Sequence, residues 1–330
     1  MSKSLAVIIL NWNGLKLLKQ FLPTALEYTK GDDVELIVAD NGSTDGSVEW
    51  LETNYPSLRL IKFHKNYGFA EGYNRAIEQT SFPYTILLNS DVEVTKGWWR
   101  PILDYLQKNP DVGAVQPKIK SYRNREWFEY AGAAGGYLDA LGYPYCRGRL
   151  FDRVEKDEGQ YDGAPVDICW ASGAALGVRT RLYLELGGLD PLFFAHMEEI
   201  DLCCRMQLAG YRVCAISDSE VFHVGGASLN QGNPQKTYLN FRNNLLLLYK
   251  NLPQKQKARK LLIRRLVDSL AFLMFVAKLD FRNAKAVVKA HGDFRKMKKQ
   301  YAGINVGKEY RFPGSERYII IDRYLLNKKK

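Results

Sequence analysis

Long apolar runs are missing from this 330-residue chain. The most extended, residues 5–10 (LAVIIL) and 270–277 (LAFLMFVA), fall far short of the ~20 residues a membrane-spanning helix needs. A signal-peptide layout is missing too. Asn11-Trp12-Asn13 cuts the first run after six residues, and no small-residue cleavage site follows. A cytoplasmic protein is the expectation. Cysteine is scarce: the five, at 146, 169, 203, 204 and 214, are odd in number and form no CxxC pair, which reads as reduced, mostly buried thiols. No GxGxxG follows the first apolar run, where the chain reads LNWNG, and this argues strongly against a dinucleotide-dependent oxidoreductase.

What is present is ordinary for a globular protein, with 46% apolar and 25% charged residues. The +11 net charge, however, is unevenly spread. Residues 1–235 hold 23 Lys/Arg against 30 Asp/Glu, a balance of −7, whereas residues 236–330 hold 24 against 6, a balance of +18. The composition therefore shifts from an acidic, enzyme-like part to a basic appendage.

Apolar strand patterns alternate with helical spacing through the first hundred residues. Strands are predicted at 5–10, 34–39, 58–63 and 86–88, with helices at 15–28, 48–55 and 68–80 between them. Such alternation argues an α/β fold with a doubly wound, mainly parallel sheet. Ligands of such sheets bind beyond the C-terminal strand ends. Asn11, Asp40, Asn66 and Asp91 each fall just after a predicted strand.

Two carboxylates stand out in residues 84–94 (YTILLNSDVEV), where Asp91 and Glu93 are two positions apart. In an extended chain they point to one side, and a hard divalent cation favours such oxygens. The competing reading is a strand that merely ends in polar residues. Asp40 opens DNGSTDGS and is open to two roles, helix capping or holding a ribose or base. Residues 65–70 (KNYGFA) offer a tight turn at Asn66 and Gly68 that feeds a helix whose N–H groups can face a phosphate.

In order and spacing, VIILNWNG, VADNGSTDGS, KNYGFAEGYNRAI and ILLNSDVEV resemble the family 2 glycosyltransferases, and in particular the bacterial rhamnosyltransferase-like branch that builds cell-surface polysaccharide. The resemblance covers roughly residues 5–250. It implies a GT-A fold, a nucleoside-diphosphate sugar donor, a divalent metal (Mg²⁺ or Mn²⁺) and inversion at the anomeric carbon. By position it implies that Asp40 holds the nucleobase and that Asp91 is the metal- or diphosphate-side acid, with Glu93 standing where many relatives have a second acid. It also implies a nucleotide-sugar part at about 1–112 and an acceptor part at about 113–250. Residues 131–149 (AGAAGGYLDALGYPYCRGR) read as either a mobile loop near the acceptor or an irregular connection.

Residues 169–179 read as a further strand. Residues 193–201 (FFAHMEEID) then bring aromatics and acids to the start of an amphipathic helix. Acids in a first turn suit the helix dipole. The resemblance instead makes Glu199 the general base, a glutamate where aspartate is usual, with Glu198 and Asp201 as substitutes. His223, one of four histidines, ends another strand, and the resemblance carries it over as a metal or diphosphate ligand.

The basic extension, residues 251–330, is expected to be mainly helical. Its residues 255–265 are strongly basic and 266–279 mostly apolar. That helix is open to two readings, packing on the catalytic part or lying in an anionic membrane interface on the inner face of the cytoplasmic membrane. No nucleic-acid-binding motif accompanies the charge. The expected reaction is sugar transfer, first of all rhamnose from dTDP-rhamnose, to a saccharide acceptor, expected to be lipid-linked. A nucleotidyltransferase, which would want a Gly-rich basic phosphate loop, and a non-catalytic nucleotide- or sugar-binding relative are the alternatives.

Overall fold

A computed structural model of the chain describes residues 3–225, 232–304, 306 and 311–324. Gly226 of the segment after His223, and parts of the basic tail (305, 307–310 and 325–330), lie outside the described residues.

Strand and helix alternate from the start: β1 (Leu5–Asn11), α1 (Leu15–Tyr28), β2 (Val34–Asp40), α2 (Ser47–Asn54), β3 (Arg59–Lys62), α3 (Phe69–Glu78) and β4 (Tyr84–Asn89). Strand β1 has no polar face because it has two cores. Leu5, Val7 and Ile9 enter one apolar cluster, and Ala6 and Ile8 enter the other. Helix α1 closes the first cluster with Leu18, Leu22 and Ala25, and with the buried Phe21 these make the i, i+3, i+4, i+7 stripe of an amphipathic helix.

Next come β5 (Val92–Val94), α4 (Trp99–Lys108) and the long β6 (Val112–Ser121). The stretch 131–149, read from sequence as a mobile loop or an irregular connection, instead supplies most of a small antiparallel sheet that spans 136–154. Its strands are β7 (Gly136–Leu138), β8 (Pro144–Cys146), β9 (Arg149–Leu150) and β10 (Arg153–Val154). The chain then returns to the main sheet through β11 (Val166–Asp167), β12 (Ala175–Arg179), α5 (Thr180–Glu185), α6 (Glu198–Leu208) and β13 (Arg212–His223).

The main sheet has the order β11-β13-β6-β12-β4-β1-β2-β3, with β5 also paired to β13. The β4-β1-β2-β3 half is parallel, and so is β6 with β13. Between these halves sits β12, antiparallel to both neighbours. The strand expected over 169–179 therefore forms only at its C-terminal end. Residues 169–174 leave the sheet because their N–H groups go elsewhere: Cys169 and Trp170 donate to the Gly136 carbonyl, and Ser172 donates to Gln116 Oε1.

Helices α7 (Pro234–Asn251), α8 (Gln254–Ala277) and α9 (Phe281–Met297) follow, with a short α10 (Ile319–Tyr324) near the end. Among the described residues no helix is long and apolar enough to cross a membrane.

Candidate functional site

Three parallel strands end level with one another, since Asn11 pairs with Asp40 and Leu10 with Asn89. Their polar ends build the first half of the site. The Asn11 amide donates to Asp40 Oδ2 at 2.8 Å and to Ser43 Oγ at 3.1 Å, and the Ser43 N–H donates to Asp40 Oδ1 at 2.9 Å. Asp40 is therefore buried and fixed by its own loop. The first N–H groups of the two adjoining helices go instead to Asp45, which accepts from the backbone of Leu15 and of Ser47.

Asn66 and Gly68 lie in one turn, which Asn41 organises. The Asn41 amide donates to Asn66 Oδ1 (3.0 Å) and to the Gly68 carbonyl (2.9 Å), while its oxygen accepts from Tyr67 N–H. Asn66 Oδ1 also accepts from Gly68 N–H at 2.7 Å. Gly68 has φ +81°, a value that disfavours any side chain, and α3 starts directly after it.

The next group is centred on His223. Asp91 sits in the turn between β4 and β5, with Oδ1 3.2 Å from His223 Nε2. On the opposite ring edge, His223 Nδ1 lies 3.4 Å from Glu129 Oε2, an ion-pair separation without a well-formed hydrogen bond. Burial alone would push the imidazole down, but the Asp91 and Glu129 carboxylates outweigh it and lift the group to about 10.

Glu93 does not join this group. It lies within β5, where its carboxylate pairs with Arg125 at 2.8 Å. The two acids expected to reach one point thus have separate partners, because Asp91 lies in the turn and the i, i+2 geometry of an extended strand does not apply to it. Among the described residues no three His, Cys, Asp or Glu side chains are arranged to hold a metal ion. Asp91 can offer one oxygen, and His223 one nitrogen only after giving up the proton that its two carboxylate neighbours hold on it. That fits a divalent cation only if substrate phosphates and water complete its shell, as is common for Mg²⁺.

The acid segment forms the third part. Phe194, His196 and Met197 all have left-handed φ, at 67°, 68° and 77°. Such values are uncommon for non-glycine residues and cost on the order of 1–3 kcal/mol each. Helix α7 holds this segment in place. The Asn243 amide donates to the carbonyls of Phe193, Ala195 and His196 at 2.7–2.9 Å, and Arg242 donates to those of Leu192 and Phe193. Glu198 and Glu199 then open α6. Burial lifts the Glu199 carboxyl to about 7. Burial, joined by repulsion from Glu199, pushes Glu198 well above the usual range.

Asp201 has a different task. Fully buried, it pairs with Arg205 and Lys250 at 2.8 Å each and accepts from Asn251, which clamps α6 to α7. This occupancy removes it from the set of available bases.

The parts join along one rim. Glu129 accepts from Ala131 N–H, and the Ala131 carbonyl accepts from Ser172 Oγ at 2.7 Å. At the adjoining Gly173 a Cβ would lie 3.5 Å from the Phe69 ring at the head of α3 and 3.9 Å from Glu199 Cβ. Six buried side-chain polar atoms lack a hydrogen-bond partner among the described residues, and five belong to Asn11, His196, Glu198, Glu199 and His223. Buried polar groups are nearly always satisfied, so this concentration marks a place built for something else to bind. Sequence reasoning missed Asn41, Glu129, Asn243 and Lys250. Only Asn41 carried a signal, its position beside Asp40.

Comparison with known proteins bears on the same region. A family model described as Glycosyl transferase family 2 matches residues 6–164. Over 246 residues the chain is 29% identical to an N-acetylglucosaminyl-diphospho-decaprenol L-rhamnosyltransferase of Mycobacterium tuberculosis, covering 68% of this chain and 76% of that one. Among solved structures, a Pyrobaculum calidifontis mannosyltransferase in complex with GDP-Man and Mn²⁺ superposes with TM-score 0.53 at 14% identity, over 90% of this chain and 76% of that one. GalNAc-T7 with UDP, GalNAc and Mn²⁺ superposes with TM-score 0.59 at 15% identity. It covers 75% of this chain, which spans about half (48%) of that longer one.

Proposed function

We propose that the chain, which has the GT-A fold, is a glycosyl transferase of family 2 and transfers a sugar, first of all rhamnose from dTDP-rhamnose, to a lipid-linked saccharide with inversion. The observation that carries this reading is the convergence of partnerless buried polar atoms along one rim, from Asn11 through His223 to Glu199.

The loops of Asp40 and Asn66 receive the nucleoside, and the start of α3 just after Gly68 presents its first-turn N–H groups to the diphosphate. Asp91 and His223 would hold a divalent cation together with the donor phosphates, and such an ion would supply charge neutralisation of the leaving diphosphate. Glu199 takes the proton of the acceptor hydroxyl. The freed oxygen attacks the anomeric carbon as its bond to the diphosphate breaks, and attack from the opposite face inverts that centre. The donor sugar and the lipid-linked acceptor follow the 29% identical relative.

A panel of nucleotide sugars, assayed with Mg²⁺ or Mn²⁺ for transfer and for slow donor hydrolysis, tests the proposal. The expected result is turnover of dTDP-rhamnose, with nucleoside-diphosphate binding that metal strengthens in wild type but not in Asp91→Ala. Equal metal dependence in Asp91→Ala overturns the assignment of Asp91. Donor binding without turnover of any sugar overturns the catalytic reading.

A further inference from the structure

Helix α8 is inside out. Its buried residues are Lys257, Arg264 and Asp268, whereas Leu262, Leu266, Leu270, Leu273 and Met274 are each 54–64% exposed. At 100° per residue these five apolar side chains fall within an arc of about 120°, nearly opposite the buried charges. The inward charges have partners on the catalytic part. Arg264 lies over the Tyr143 ring, donates to the Leu141 carbonyl at 3.0 Å and meets Asn244. Asp268 accepts from Tyr143 and pairs with Arg264 and His291. Rotating α8 to bury its leucines would strip Arg264 and Asp268 of these partners. The outward apolar stripe is therefore fixed by the fold.

We infer that this face of α8 docks the protein on an anionic phospholipid surface, with the leucine stripe entering the headgroup–acyl boundary. Charge complementarity selects the partner. Between residues 252 and 300 there are 14 Lys/Arg and 3 Asp/Glu; Lys255, Arg259 and Arg265 are exposed on α8 itself and Lys278 just past its end. Of the three acids, Asp268 is fully buried. Two copies meeting through this face would set these cations against one another, whereas anionic headgroups neutralise them. The apolar exposure continues past the helix end at Leu279 (75%) and Phe281 (60%), beside the exposed Arg282. Through Arg264 and Tyr143 the docking helix is bolted to the 136–154 sheet, so the docked face and the catalytic part move as one body. The inference deepens the proposed function, which puts the acceptor's lipid in that same surface.

Vesicle co-sedimentation of the full chain tests it, with phosphatidylglycerol/phosphatidylcholine vesicles against phosphatidylcholine alone. Binding is expected to need the anionic lipid and to fall at high salt, where the Debye length drops to ~3 Å. Leu266→Glu/Leu270→Glu should lower partitioning by about tenfold or more, and Arg259→Glu/Arg265→Glu by on the order of tenfold. All four positions are exposed, so melting and nucleotide binding should match wild type. That second readout separates this inference from the catalytic reading, which stands or falls on nucleotide binding and sugar turnover and not on vesicle binding. Wild type left in the supernatant with anionic vesicles at low salt overturns docking, as does undiminished binding by both variants. A dimer in sedimentation velocity that Leu266→Glu/Leu270→Glu dissolves overturns it in favour of a second copy.

Discussion

A carboxylate that accepts a proton near neutrality has to be partly starved of water, and Glu199 is. Its lift to about 7 comes from burial, so it is mostly protonated at pH 6 and mostly ionised at pH 8. If it is the base, kcat/KM should rise about tenfold per pH unit below 7 and level off above it, which a pH–rate profile will show. Glu199→Gln should keep nucleotide binding and lose about 10²–10⁴-fold in transfer. The same shift affects stability. With its carboxyl above the ordinary 4.5, the native state binds more protons than the unfolded chain between those values, and this contribution is present at low pH and lost as pH rises through about 7. Glu199→Gln should therefore melt a few degrees (~2–4 °C) higher than wild type at pH 8, by calorimetry. Asp91 and Glu199 could be singled out as candidates from the sequence because each sits in a short, ordered motif. Glu129 was not, since it comes from an irregular stretch and reaches His223 only through the fold.

At the scale of elements, the decisive joint lies between α7 and the strained residues 194–197. Removing three amide contacts with Asn243→Ala should cost on the order of 1–3 kcal/mol of stability. It should also lower kcat by about tenfold or more, because small misplacements of a catalytic group are costly. Nucleotide affinity, measured by calorimetric titration, should stay unchanged. Asp201→Ala is the contrast. It leaves Lys250 with Asp190, at 2.7 Å, as its remaining carboxylate, so the cost should fall below the ~3–5 kcal/mol of an orphaned buried charge. Turnover of Asp201→Ala should track its folded fraction, which denaturant melts will measure. The alternating half of the sheet was readable because each strand and helix there carries its own period. Strand β12 was overextended because 169–174 is apolar, yet its backbone bonds go to Gly136 and Gln116. Helix α8 was readable as a helix, but not which side faces inward: partners 20 to 125 residues away decide that.

Across the whole molecule, an acidic catalytic part and a basic helical part are tied by buried polar contacts, and the sheet itself is tied at β12. Gly177, in the middle of that strand, leaves no room for a side chain: a Cβ would stand 2.5 Å from Ile102 Cγ2. Gly177→Val should destabilise by roughly 1–3 kcal/mol through overpacking, read as a lower melting temperature. The position of β12 has a further consequence during synthesis. Strand β4 is complete at residue 89, yet the neighbour that covers its outer edge arrives only with residues 175–179. At 5–20 residues per second, a ribosome leaves that apolar edge open for roughly 5–20 s. In that interval the emerging half-sheet is a template for pairing with other nascent chains. Protection by a chaperone, or slow release of the finished chain, is thus a demand set by strand order, and a fragment ending at residue 112 should aggregate where the full chain does not.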